Sequence, residues 1–145
     1  MTKFIIRPAR IEDAAGIARL NRDALGYDYG SERTKTRLEK VLSMPSNRLL
    51  VAELDNRCIG YIHVIDYDCV YVDSLKDILA LAVEPDTQGK GVGRALLNAA
   101  EDWAKQCGCA GVRLESGFDR TGAHRFYEAC GYSLRKEHKN FVKLF

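Results

Sequence analysis

The sequence contains no Cys-x-x-Cys pair, no zinc-type spacing of cysteine and histidine, and only three histidines in all. Its five cysteines, Cys58, Cys69, Cys107, Cys109 and Cys130, are an odd number for a disulfide framework. Reduced thiols in a cytoplasmic protein are therefore expected, and no metal ligands are assigned. No apolar run approaches the roughly 18 residues needed to cross a bilayer, and the opening Met-Thr-Lys-Phe-Ile-Ile-Arg-Pro lacks the apolar centre of a secretion signal. Charge of one sign is missing too: the formal net charge is +2, too small to argue for a nucleic-acid or membrane surface. Repeats, low-complexity tracts and linkers are absent. The 145 residues are read as one domain, 1–145, long enough to bury about two-thirds of its unfolded surface.

What is present centres on the stretch from Asp77 to Arg94. Ile78 to Val83 is a short apolar run closed by Pro85, the pattern of a buried strand. Gln88-Gly89-Lys90-Gly91-Val92-Gly93 follows and opens a segment in which Val92, Leu96, Ala99, Trp103 and Cys107 recur at helical steps. A strand, a glycine loop and a helix N-terminus aim several backbone N–H groups at one point, with Lys90 and Arg94 beside them, which suits a phosphate. Two common phosphate loops do not fit. Walker A needs glycine where Glu84 stands, and the dinucleotide pattern begun at Gly89 needs glycine where Arg94 stands.

The remaining elements follow from local signals. Phe4 to Arg7 is a strand stopped by Pro8, and Ile11-Glu12-Asp13 staples and caps a helix through Ile17, Leu20 and Ala24. Ser31 is placed as the cap of a second helix ended by Met44-Pro45, after a loop bearing Tyr27 and Tyr29. Arg48 to Leu54 and Cys58 to Ile65 form a hairpin around Asp55-Asn56. The stretch from Asp66 to Asp77 has no clear period and is read as a loop, with or without a short strand, whose acids either face the Tyr27-to-Tyr29 loop and favour a cationic amine or are simply solvated. Val112 to Ser116 is a strand, Ala123 to Gly131 a short helix, and Tyr132 to Leu134 with Asn140 to Phe145 two closing strands. The order β-α-α-β-β-β-α-β-α-β-β describes a mixed sheet flanked by helices, an α/β or α+β domain.

Gln88-x-x-Gly91-x-Gly93 after a strand ending Ala82-Val83 is similar to the acetyl-coenzyme A loop of the GCN5-related N-acetyltransferases (GNAT). Ala123-x-x-Phe126-Tyr127-x-x-x-Gly131-Tyr132 resembles the family's second signature, and Ile5 to Ala14 its common opening. The resemblance implies a central, mostly antiparallel sheet and an enzyme that moves an acetyl group from acetyl-CoA to a primary amine by direct attack. It implies cofactor contacts at Leu81, Ala82, Val83, Gln88, Gly89, Lys90, Gly91, Val92, Gly93, Arg94, Arg120, Ala123, Phe126 and Tyr127. Many members carry asparagine where this chain has Arg120, a cation able to meet a phosphate. Family habit leaves a homodimer open.

The chemistry needs a base for the amine, a donor for the oxyanion and a proton for the leaving thiolate. Tyr127 matches the family's usual acid, the alternative being a packing role. Asp77 is the candidate base, placed at the mouth of the central strand and, by alternation, on the face of Leu79, Leu81 and Val83. Glu115, Asp73 and His63 are its rivals. His124 is read as solvent-facing, Cys130 as a buried thiol without a paired base, and Trp103 as core. A coenzyme A-binding regulatory module without turnover shares the glycine loop, and an anion-binding structural protein would leave the second signature unexplained. The acceptor, a small-molecule or peptide amine, has no diagnostic motif.

Overall fold

The computed structural model describes residues 3–145. The chain forms two compact units, one running to Glu115 and the other from Ser116 to Phe145. In the first unit the elements are β1 (Ile5–Pro8), α1 (Ala14–Leu20), α2 (Ser31–Leu42), β2 (Asn47–Leu54), β3 (Arg57–Cys69), β4 (Val72–Val83), α3 (Val92–Gln106) and β5 (Gly111–Leu114). The second unit carries α4 (Thr121–Ala129).

The five strands make one sheet in sequence order. β1 to β4 pair antiparallel, whereas β5 lies parallel to β4. A parallel neighbour requires a crossover, which α3 supplies. The β2–β3 hairpin turns at Asp55 and Asn56, both with positive φ (51° and 62°). Asp and Asn tolerate this region, and the turn suits the twist of the flanking strands.

Strand alternation divides the apolar side chains between two faces. Leu49, Val51, Tyr61 and Ala82 pack with Ala14, Ile17 and Leu20 of α1 and Leu38 of α2. The other face receives α3 through Val92, Leu96, Leu97, Ala100 and Ala104. This stripe replaces the expected one: Cys107 is exposed and lies past the helix end, and Trp103 is half-buried, not core. Its ring carries the Lys76 ammonium 3.9 Å from the centroid.

Gly60 of β3 sets how closely α3 approaches. A Cβ there would lie 3.1 Å from the Ala82 carbonyl oxygen, 3.1 Å from Val92 Cγ1 and 3.2 Å from Leu96 Cδ1. Overpacking of this kind costs about 1–3 kcal/mol. Gly60→Ala is expected to lower stability by that amount in denaturant titration, and an unchanged midpoint would show that α3 slides away without cost.

Three expectations change. Gly30, not Ser31, is the N-cap of α2, and Thr34 Oγ1 donates to the Gly30 carbonyl at 2.7 Å. Asp66 to Asp77 is not a loop: β3 continues to Cys69 and β4 begins at Val72. Only Leu75–Ile78 of β4 is flanked by β5, so the hairpin end has a single neighbour on each strand and loses the apolar pattern of a covered sheet. Finally, Tyr132–Leu134 and Asn140–Phe145 are not strands. The Arg135-Lys136-Glu137-His138-Lys139 connection lacks a turn-forming pair, and an isolated two-stranded hairpin is marginal in water.

Candidate functional site

The glycine loop is built as the sequence implies. β4 ends at Val83, where Gln88 Nε2 donates to the Val83 carbonyl at 3.1 Å and ties the loop back to its strand. Pro85–Thr87 is a single 3-10 turn, held by Thr87 N and Oγ1 donating to the Glu84 carbonyl at 2.9 and 3.0 Å. Gly89 and Gly91 then take φ values of +82° and +86°, a region that side chains resist. A Cβ at either would meet nothing within 4 Å, so the glycines serve conformation and leave the space beside the backbone open. Gly91 is the N-cap of α3, and no side chain caps that end. The first N–H groups of a helix lack intrahelical acceptors, and here they sit at the positive end of the dipole. Lys90 is exposed beside them. These residues fit a phosphate-bearing ligand.

Leu81 and Val83 register with Ile62 and Gly60, on the α3 face, whereas Ala82 registers with Tyr61 on the α1 and α2 face. Gly60 is the residue that sequence reading missed. A glycine inside an apolar strand run signals close backbone approach, and here it seats the first turn of α3.

Asp77 lies inside β4, not at its mouth, and the expected face is wrong. Register shifts between His63 and Val64, so Asp77 pairs with Ile65 and Ile78 with Val64, while Ala80 pairs with His63 and Leu81 with Ile62. The extra residue at Leu79 is a bulge, and it puts Asp77 on the side of Ala80 and Ala82. There Asp77 Oδ1 stands 3.0 Å from Arg113 Nη1. Burial pushes the Asp77 carboxyl up from the usual carboxylate range, with Arg113 opposing and Glu115 reinforcing.

The rivals sort by environment. Asp73 is exposed near the hairpin end. His63 Nε2 lies 2.7 Å from Asn47 Oδ1, and burial lowers its pKa, so its ring stays neutral at neutral pH. Glu115 is 64% exposed and accepts a hydrogen bond from Arg113 Nη2 at 3.0 Å. Asp66 and Asp68 do not face the Tyr27-to-Tyr29 loop. They share the α3 side with Lys76 and Ser74, which donate to them at 2.5 Å each.

In the second unit, α4 begins at Thr121 with Arg120 as its N-cap residue, and Gly131 (φ +93°) follows its C-cap. Ala123, Phe126 and Tyr127 are half-buried. The Tyr127 ring meets Phe126 edge-on at 5.3 Å and Tyr132 at 6.0 Å between centroids. Burial raises the phenol above its usual pKa, Arg120 opposing. His124 is half-buried, and its Nε2–H donates to the Gly117 carbonyl in an exposed hydrogen bond of 2.8 Å.

Comparison with known proteins gives this arrangement a context. The model of the acetyltransferase (GNAT) family matches residues 14–132. The chain belongs to that family. An uncharacterized N-acetyltransferase of Methanocaldococcus jannaschii is 31% identical over 135 residues, covering 92% of this chain and 80% of that protein. A second from the same organism is 28% identical over 99 residues, 65% of this chain but only 42% of the relative, so the chain spans less than half of that protein. Among solved structures, the acetyltransferase AAC(6')-Iy in complex with the bisubstrate analogue CoA-S-monomethyl-acetylneamine superposes with a TM-score of 0.86 at 17% identity, covering 99% of this chain and all of that one. At that identity the likeness is one of fold. Among the described residues no helix is long and apolar enough to cross a membrane, and no group of three or more His, Cys, Asp or Glu side chains could hold a metal ion.

Proposed function

We propose that this GNAT protein is a cytoplasmic N-acetyltransferase that moves the acetyl group of acetyl-CoA to a primary amine in a ternary complex, with residues 1–145 acting as one catalytic domain. The observation that carries the reading is the uncapped N-terminus of α3 behind Gly89 and Gly91, open to a phosphate in a chain of this family. Gln88, Gly89, Lys90, Gly91, Val92, Gly93 and Arg94 hold the pyrophosphate, and Arg120 and Ala123 complete the cofactor contacts with Phe126. Leu81, Ala82 and Val83 supply backbone groups along the strand end. Acetyl-CoA contributes the thioester. Asp77 takes the ammonium proton, and Tyr127 gives its proton to the departing thiolate. A phenol of ordinary pKa ~10, raised further by burial, keeps that proton at neutral pH. The acceptor is a small-molecule or peptide amine.

Asp77→Asn keeps the shape of the side chain and removes its basicity. A base works only when deprotonated, so the raised Asp77 pKa moves the acid limb of kcat/KM upward from the ordinary carboxylate range. The variant is expected to lose kcat/KM by about 10²-fold or more between the acid limb and the amine pKa, with the deficit shrinking below the limb, where Asp77 is itself protonated, and again at high pH as free amine becomes abundant. A rise in KM alone at unchanged kcat, across the pH range, would reduce Asp77 to attracting the cation.

A further inference from the structure

Arg113 was not singled out by any motif, yet it is the hub of the polar cluster on the α1 and α2 face of the sheet. Arg113 lies in β5 and Glu115 just past its last residue, and the parallel register sets Arg113 opposite Asp77 of β4. Its two terminal nitrogens are divided between two acids, Nη1 to Asp77 Oδ1 at 3.0 Å and Nη2 to Glu115 Oε1 at 3.0 Å. Tyr67 of β3 closes the third side, its ring centroid 4.4 Å from the guanidinium carbon. Both members of the inner pair are shielded, Arg113 at 18% and Asp77 at 14% side-chain exposure, while Glu115 reaches solvent. Among the described residues Arg113 Nε is buried without a hydrogen-bond partner, and the guanidinium is held by the two acids and the ring. On the π-helical turn Asn21–Leu25, which follows α1 and contacts β4, Arg22 and Asp23 pair with each other at 2.8 Å and add no net charge.

We propose that Arg113 is a positioning residue that fixes Asp77 and sets its basicity by sharing one permanent positive charge between Asp77 and Glu115; this rests on the reading of Asp77 as the base. Guanidinium does not lose its proton, so it holds the neighbouring carboxylate in its basic form against the burial that favours the acid. Without it, two carboxylates would stand together with no cation between them, and the pair would hold a proton to higher pH. Glu115 acts in the opposite sense, as a like charge that strengthens Asp77 as a base. The cluster as a whole, two acids and one guanidinium, carries a net charge of about −1 when both acids are ionised, which suits a cationic amine.

The test is a carboxyl-carbon NMR titration of Asp77 in the free protein, alongside pH profiles of kcat/KM, for the unsubstituted chain, Arg113→Gln, Arg113→Lys and Glu115→Gln. Arg113→Gln is expected to raise the Asp77 midpoint by about one unit or more and to move the acid limb of kcat/KM upward by the same amount. Arg113→Lys restores most of that shift as a point charge but not the two-armed contact. Glu115→Gln is expected to move both readouts downward. A purely structural Arg113 would lower activity at every pH and leave the midpoint in place, which would overturn the proposal. If Arg113→Gln does not fold, Glu115→Gln decides alone, and an unmoved or raised midpoint there overturns it. Midpoints that move as expected while the kcat/KM limb stays fixed would uphold the role of Arg113 and remove Asp77 from the reaction.

Discussion

Tyr127→Phe is expected to lower kcat by about 10²–10⁴-fold, the range typical of a general acid or base, while coenzyme A affinity stays nearly intact. The substitution removes one oxygen and its proton and preserves the ring, so the edge contacts with Phe126 and Tyr132 persist. Burial raises the phenol, so the proton-donating form extends to higher pH than for a tyrosine in water. The same kcat in Tyr127→Phe as in the unsubstituted chain, measured across pH with chemistry shown to be rate-limiting, would return the residue to packing.

Gly91→Asp is expected to weaken acetyl-CoA binding by about 10²-fold, the loss of one or two hydrogen bonds to a charged group. The carboxylate would itself sit at the N-terminus of α3 and take the N–H groups offered to phosphate, and it would repel the pyrophosphate. Backbone strain at φ +86° is a separate effect, because every L-residue meets it there. Gly91→Ala isolates that part: it should lower the melting temperature like the aspartate variant and bind coenzyme A better. Equal affinity in folded Gly91→Asp and the unsubstituted chain, measured by calorimetry, would remove the loop from phosphate binding.

The parts of the fold legible in the sequence are those in which one local signal governs. Alternate glycines between a six-residue apolar run and a helical stripe specify a strand, a tight loop and a helix whatever surrounds them. The α4 signature and the Asp55-Asn56 turn are equally local. Asp77 illustrates the opposite case. Alternation counts every second residue, and the single extra residue at Leu79 reverses the face, yet a bulge has no sequence mark when the residue is an ordinary leucine. The Arg113 cluster was hidden for a related reason: Asp77 and Arg113 are far apart in the chain and meet only through parallel β4–β5 register. The hairpin end from Asp66 to Asp77 failed as a prediction because hydrophobic alternation reports a covered face, and that end stands partly clear of its neighbours. Apolar character in Asn140 to Phe145 suggests a strand, yet the segment does not pair as one. Gly60 could have been found, since a glycine between Ile59 and Tyr61 interrupts an otherwise apolar strand.

The central claim is turnover of acetyl-CoA by an amine, and simultaneous measurement of free thiol and of acetylated product against an amine library tests it most directly. Thiol is expected to appear only when an accepted amine is present, and in equal amount to the acetylated amine found by mass spectrometry. Tight coenzyme A binding by calorimetry with no acetylated product from any primary amine, in protein whose fold is intact, would contradict it and leave a binding module in place of an enzyme.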